Sequence, residues 1–186
     1  MKFAQNKFGL LFNKKNDEID LDSIIIRLVR KHDLPALEWD GQFKHYRNLY
    51  AEAFERQENG LGLMWIATLP FSKLVGQIFI QFICNRPELA NGTNRAYFYS
   101  LRIKDQYRNQ GIGSKLISWV ENDLKSRGVE FLTLNVTKEN TRAIQLYERM
   151  GYKIKAHEEG RWFYKDHKNI RRNVHEPSWR MEKLLE

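Results

Sequence analysis

The sequence predicts an α/β fold, and three observations carry that prediction. Strand-like and helix-like segments alternate along the chain, which favours a sheet covered by helices over segregated units. The strand-like segments are rich in β-branched and aromatic residues, as in Ile24-Ile25-Ile26-Arg27-Leu28-Val29. The helix-like segments place apolar residues three and four apart, as Leu116, Ile117, Val120 and Leu124 do. A length of 186 residues suits one domain, able to bury well over half of its unfolded surface without a staple. Residues 22–186 form that expected domain, and 1–21 read as an N-terminal extension or an extra edge element.

After the first strand, Asp33 is expected to cap a short helix with Pro35 in its first turn. Phe43 to Gln57 reads as a second helix through Phe43, Tyr46, Leu49, Tyr50, Ala53 and Phe54, ended by Asn59-Gly60. Strands follow at Leu63–Thr68 and Leu74–Ile83, with a turn over Leu69 to Lys73. Asn91 to Asn94 is a loop, and Arg95 to Lys104 another strand. A long helix covers Gly111 to Arg127, with Gly128 at the expected left-handed cap. Glu130 to Thr137 returns to strand. Thr141 to Met150 is helical through Ala143, Leu146, Tyr147 and Met150, and Gly151 stops it. Tyr152–Ala156 and Trp162–Tyr164 read as strands. Trp179–Leu185 suits a last strand, although Met181 to Leu185 is also compatible with a helix.

Composition narrows the function classes. Hydrophobic residues make up 42% and charged residues 29%, ordinary globular usage. The single cysteine, Cys84, makes neither an internal disulfide nor a metal cluster, and it ends the apolar run Gln77 to Ile83 as a buried structural thiol would. No metal site is expected. A reducing, cytoplasmic setting follows from that cysteine usage. No stretch approaches the roughly 18 apolar residues that span a bilayer, and Leu10-Leu11-Phe12 is too short for a secretory signal. The net charge of +8, from 31 basic and 23 acidic residues, suits either a nucleic-acid partner or a polyanionic small molecule. The longest basic cluster, Lys165 to Arg172, matches no nucleic-acid motif, so no nucleic-acid partner is expected.

The chemistry-bearing feature is the segment Arg108-Asn109-Gln110-Gly111-Ile112-Gly113-Ser114, set between a strand and a helix. A helix N-terminus exposes unpaired N–H groups and partial positive charge, where a phosphate can sit. Gly111 and Gly113 allow close approach of the backbone, Arg108 adds a forked donor and Ser114 a hydroxyl. It is neither a Walker loop, since no Gly-Lys-Ser/Thr follows, nor a dinucleotide fingerprint, since the third glycine is missing.

The spacing Arg108-x-x-Gly111-x-Gly113 resembles the acetyl-CoA signature of the GNAT superfamily of N-acetyltransferases. A second block, Asn140 to Tyr152, is similar to the family's second cofactor-binding segment. The resemblance covers about residues 22–185 and implies a mixed, mostly antiparallel sheet flanked by helices. It implies two splayed central parallel strands, here Ala96–Lys104 and Phe131–Thr137. It further implies that acetyl-CoA is the acyl donor, that Leu101 and Ile103 offer backbone contacts to its pantetheine arm, and that Arg108 to Ser114 hold its pyrophosphate. Asn140 would contact the arm, and Tyr147 would protonate the departing thiolate. A phenol is an adequate donor, because an alkyl thiol has a pKa of about 8.5 against about 10 for tyrosine. As core packing, the same Tyr147 would be ordinary on the apolar stripe of its helix.

The resemblance leaves the acceptor and the base open. Family members often place a carboxylate on the strand before the anion loop, and Ala96-Tyr97-Phe98-Tyr99-Ser100-Leu101 has none. Tyr99 and Ser100 can order water there. Glu38, Asp40, His45 and His167 are distant candidates for the base. Trp39, Tyr99, Trp162, Tyr164 and Asp166 are the candidate substrate-binding residues, an aromatic and locally acidic set suited to an amine. The expected partner is a small-molecule or protein amine. The family's C-terminal strands often pair across dimers, which leaves a homodimer open. A non-catalytic CoA-binding sensor and a basic interaction protein are the alternative readings.

Overall fold

The computed structural model describes residues 19–70 and 73–186. The expectation of a tail or edge element over the first residues therefore lies, for 1–18, outside the described residues. Seven strands form one sheet, named in chain order as β1 (Ile25–Leu28), β2 (Gly62–Leu69), β3 (Lys73–Gln81), β4 (Arg95–Ile103), β5 (Phe131–Thr137) and β6 (Lys153–Glu158), followed after a hairpin by β9 (Ser178–Leu184). The hairpin is β7 (Arg161–Lys165) with β8 (Arg171–His175). The sheet order is β1-β2-β3-β4-β5-β9-β6, and every neighbouring pair is antiparallel except β4 with β5. The helices are α1 (Arg47–Glu58), α2 (Ile112–Ser126) and α3 (Thr141–Arg149). Among the described residues no helix is long and apolar enough to cross a membrane.

The sheet is covered on both faces, which explains its nearly continuous apolar central strands. Along β2, Leu63, Trp65 and Ala67 join the core under α2 and α3, while Met64 and Ile66 join the core under α1. Such alternation is the period of two of a strand, here apolar on both sides. α2 supplies Ile112, Leu116, Ile117, Val120 and Leu124 to the first core. Tyr50 and Ala53 of α1 pack in the second with Leu37 and Trp39.

Two irregularities shape the centre of the sheet. Parallel pairing of β4 with β5 covers only Arg95↔Phe131, Ala96↔Leu132 and Tyr97↔Thr133, so the strands part from Phe98 onward. Against β3, Gln77↔Arg102 is followed by Phe79↔Tyr99, so β4 carries an extra residue there. Ser100 takes it up in the left-handed region at φ 58°. Such a bulge bends the strand and frees ladder groups.

Several expectations need correction. Asp33 is not an N-cap but the third residue of a 3-10 helix over Lys31–Glu38, where its carboxylate accepts the Arg30 N–H at 2.8 Å and two hydrogen bonds from Arg27. Met181 to Leu184 is strand, because β9 fills the gap between β5 and β6 and Met181 is fully buried there. β8 gave no signal in the sequence, because Arg171-Arg172-Asn173-Val174-His175 is mostly exposed and lacks apolar alternation.

Candidate active site

The parting of β4 from β5 opens a cleft on each side of β4, and Arg102 lines both. The first, of about 690 Å³, runs between the end of β4, the start of α2 and α3. Its lining includes Leu101, Ile103, Arg108, Asn109, Gly111, Ile112, Gly113, Ser114, Asn140 and Tyr147, so nearly all the residues expected to hold a cofactor come together.

Local chemistry shapes this cleft. Asn109 and Gly111 both adopt left-handed backbone, at φ 62° and 82°, and turn the chain into α2. A Cβ on Gly111 would lie 2.9 Å from Leu21 Cδ1. The first N–H groups of α2, from Ile112 to Ser114, have no intrahelical acceptor, and these three residues line the cleft. Arg108 Nε donates to the Ile103 carbonyl at 3.1 Å, and its guanidinium meets Asp105 at 2.8 Å. The Asn140 carboxamide oxygen caps α3 by accepting the Ala143 N–H at 3.1 Å, which fixes the side chain at the cleft wall. Gln110 is the exception: its oxygen accepts the Ile19 N–H at 3.1 Å and its Nε2 donates to Gln106, which turns it from the cleft toward the N-terminal segment.

Tyr147 is buried against Phe98 and Tyr152, with ring centroids 5.6 and 6.0 Å away, and it borders the cleft. Burial pushes its hydroxyl well above the ordinary tyrosine range. The hydroxyl therefore stays protonated at physiological pH, and burial makes it a weaker acid than a free phenol.

Arg142 and Arg149 also line this cleft, and sequence reasoning missed both. A signal was present in Arg142: a cation in the first turn of a helix opposes the helix dipole. With Arg108 they give the cleft three guanidinium groups, a donor set that fits a phosphate-bearing ligand, while the Arg102 guanidinium turns to the α1 side of β4.

The second cleft, of about 640 Å³, lies on the other side of β4. Tyr97, Tyr99, Ser100 and Asn135 line its floor, and Tyr46, Tyr50 and Arg56 of the α1 region line one wall. Opposite stand Glu158, Glu159, Gly160 and Trp162 with Glu176 and Ser178. Gly160 holds that wall together. Its carbonyl accepts the Glu176 N–H at 2.9 Å, and a Cβ on it would lie 1.8 Å from the Glu176 oxygen. The Asn135 carboxamide oxygen is buried with no hydrogen-bond partner among the described residues.

Of the expected substrate residues, Tyr99 and Trp162 line this cleft, while Trp39, Tyr164 and Asp166 do not. Trp39 is 5% exposed, edge-on to Phe43 in the α1 core. Tyr164 packs behind Tyr46 at 5.1 Å. Asp166 is buried and organises the β7–β8 turn, accepting from the Lys168 and Ile170 N–H groups and from Arg172. The distant candidates for the base also stand outside both clefts. Glu38 is engaged by Arg47 through two hydrogen bonds, and Asp40 is exposed beside Lys104. His45 lies against Tyr46 at 4.1 Å, where burial and then Arg102 hold it below the ordinary histidine range. His167 Nδ1 is buried without a partner among the described residues. The carboxylates that do reach the cleft are Glu158 at the end of β6, Glu159 just after it, and Glu176 in the β8–β9 connection, two stretches that the intervening hairpin separates in the chain.

Comparison with known proteins agrees with this architecture. The model of the acetyltransferase (GNAT) family matches residues 27–152. N-alpha-acetyltransferase 30 of Schizosaccharomyces pombe is 32% identical over 83 residues, covering 44% of this chain and 55% of that protein. The chain thus spans about half the length of the curated relatives it matches. Among solved structures, the ribosomal-protein-S18-alanine N-acetyltransferase of Escherichia coli superposes with a TM-score of 0.65 at 20% identity, covering 87% of this chain and 94% of that one. Spermidine N-acetyltransferase of Vibrio cholerae, solved with CoA and spermine, gives a TM-score of 0.65 at 16% identity over 88% and 96% of the two chains. At such identity these two share the fold alone. The family's model, matched over more than half of the chain, together with this sheet and its helices, means that the chain belongs to the acetyltransferase (GNAT) family.

Proposed function

We propose that the protein is an N-acetyltransferase that moves an acetyl group from acetyl-CoA to an amine by direct attack on the thioester. The observation that carries this reading is the pair of clefts meeting across β4 at Arg102, one rich in guanidinium groups, the other bordered by carboxylates. The donor cleft takes the phosphates at Arg108 to Ser114 and the arm along Leu101, Ile103 and Asn140. The acceptor cleft takes the amine. Acetyl-CoA supplies an activated acetyl thioester when bound.

The chain's own groups account for the remaining steps. The amine nitrogen bonds to the carbonyl carbon, the carbon–sulfur bond breaks, the ammonium proton leaves to a base, and the thiolate gains a proton. Glu176 is our assignment for the base, directly or through water ordered by Tyr99 and Ser100. Unlike Glu158, which Arg86 and Arg180 hold, Glu176 has no ion pair among the described residues. The carboxylate missing from β4 is thus supplied by the far wall. Backbone N–H groups freed at the Ser100 bulge stabilise the charge that develops on the carbonyl oxygen. Tyr147, which burial keeps protonated, gives its proton to the sulfur. We assign this chemistry to residues 22–186, with 1–21 as an extension. Lone Cys84, whose thiol donates to the Arg86 carbonyl at 3.1 Å, supports a reducing cytoplasmic setting.

Thermal unfolding with acetyl-CoA tests the donor site, since saturation at 100 times Kd adds about 2.7 kcal/mol of stability. No shift at millimolar acetyl-CoA sinks the proposal. Thiol release against an amine panel then separates an enzyme from a CoA-binding sensor.

A further inference from the structure

The acceptor cleft carries both signs of charge on opposite walls, and the pairing within each wall is uneven. Four arginines line it. Arg86 is matched by Glu88 and Glu158, and Arg161 lies 3.9 Å from Glu159. Arg56 and Arg102 have no carboxylate partner among the described residues. Arg56 donates to the Tyr99 hydroxyl at 3.3 Å. Arg102 donates to the Tyr50 hydroxyl at 3.0 Å and lies over the rings of Phe43 and Tyr46, at 4.5 and 4.8 Å from their centroids. Stacking and one hydrogen bond fix that guanidinium plane while leaving other N–H groups to bind an anion. On the facing wall the unmatched group is Glu176.

From this arrangement we infer the acceptor's chemical class: a small amino-carboxylate, its acid end held by Arg56 and Arg102 and its amine beside Glu176. The inference rests on the acetyl-transfer reading of the clefts. A planar carboxylate is the natural partner of a guanidinium fork, which it can meet through two parallel hydrogen bonds. The aromatic stack makes the cost of leaving the Arg102 charge uncompensated higher than on an open surface, because the site is partly desolvated. A polyamine brings several positive charges to a cleft that already holds two unmatched guanidiniums against one unmatched carboxylate, and is repelled there. An acceptor without an anionic group leaves both guanidiniums without a counter-charge. Arg102 also stands at the junction with the donor cleft, so a carboxylate held on it lies close to the transfer point, as the short spacing between the acid and the amine of an amino acid requires.

The test measures kcat/KM by thiol release, with saturating acetyl-CoA, for α-amino acids, β-alanine, the C-terminal amides of the same amino acids, short peptide amides and spermidine. The expected result is that a free amino acid exceeds its own amide by about 10-fold or more, the scale of one charge-assisted contact. Arg56→Gln, on the half-exposed α1, brings that ratio to within about 3-fold, and Arg56→Lys restores part of it. Glu176→Gln lowers acid and amide together, so the two walls are read separately. Preference for amides, peptides or spermidine overturns the inference, and so does a ratio that survives both Arg56→Gln and Arg102→Gln. Binding of acetyl-CoA without turnover of any compound overturns it too. A failure of acetyl-CoA to bind is a different result, and it removes the acetyl-transfer reading itself.

Discussion

The Arg142 guanidinium donates to the Asn109 carboxamide oxygen at 2.9 Å, which ties the first turn of α3 to the left-handed turn before α2. Both residues line the cleft proposed for the donor, and one bond leaves the other N–H groups of the guanidinium for an anion. Being solvent-facing, the bond adds little to folding. Arg142→Ala is expected to raise the Kd for acetyl-CoA by about 10-fold, equivalent to one charge-assisted hydrogen bond. The melting temperature of the free protein stays within about 2 °C, in line with a surface contact. Calorimetric titration and thermal unfolding check the two halves separately.

Tyr147→Phe keeps the ring that packs on Phe98 and Tyr152 and removes only the hydroxyl. Turnover falls by about 10²-fold, the low end for general acid catalysis, with affinity for acetyl-CoA unchanged. Because burial raises the hydroxyl above its ordinary value of 10, the loss of the acid shows no limb in the pH–rate profile below about pH 10. Unaltered turnover in this variant removes Tyr147 from the mechanism.

Asp33 carries a prediction about acid stability. The Arg27 guanidinium, through its hydrogen bonds, holds the Asp33 carboxyl below the usual carboxylate range. A depressed folded pKa contributes stability above the unfolded value of about 3.9 and loses it as pH falls through the folded value. Asp33→Asn therefore destabilises by about 1–3 kcal/mol at pH 7, and the difference from wild type shrinks below about pH 4. Urea unfolding at pH 7 and pH 3 measures it, and a difference that grows on acidification contradicts the assignment.

Gly160→Ala drives a Cβ into the Glu176 carbonyl from a left-handed φ of 65°. The backbone contact between the β6–β7 and β8–β9 connections must open, at a cost of about 1–3 kcal/mol. The wall bearing Glu158, Glu159 and Glu176 shifts with it. KM for the acceptor rises by about 10-fold or more while affinity for acetyl-CoA holds, because the donor cleft lies across β4. Equal loss at both sites would mean a general defect of folding.

What was legible in the sequence was local. The strand–loop–helix around Gly111 and Gly113, the long apolar stripe of α2 and the block from Asn140 to Tyr152 are contiguous segments whose conformations follow from periodicity, caps and glycine. They were enough to assemble the donor cleft, apart from Gln110, whose side chain follows Ile19 from 91 residues away. The acceptor side was not legible in this way. Trp39 and Asp166 looked like recognition groups because aromatic and acidic residues often are, yet one fills a core and the other organises a turn. Arg56, Arg102, Asn135, Glu158 and Glu176 come from α1, β4, β5, the end of β6 and the β8–β9 connection, and no spacing in the chain relates them. Their convergence depends on β9 entering between β5 and β6, on the β7–β8 hairpin folding back over α1, and on the early parting of β4 from β5. The sequence by itself determined the family resemblance and the cleft proposed for the donor, since a phosphate site of this kind is built from one loop and one helix end. Tertiary structure alone decided the acceptor cleft, since its opposed charges come from segments that meet only through long-range pairing.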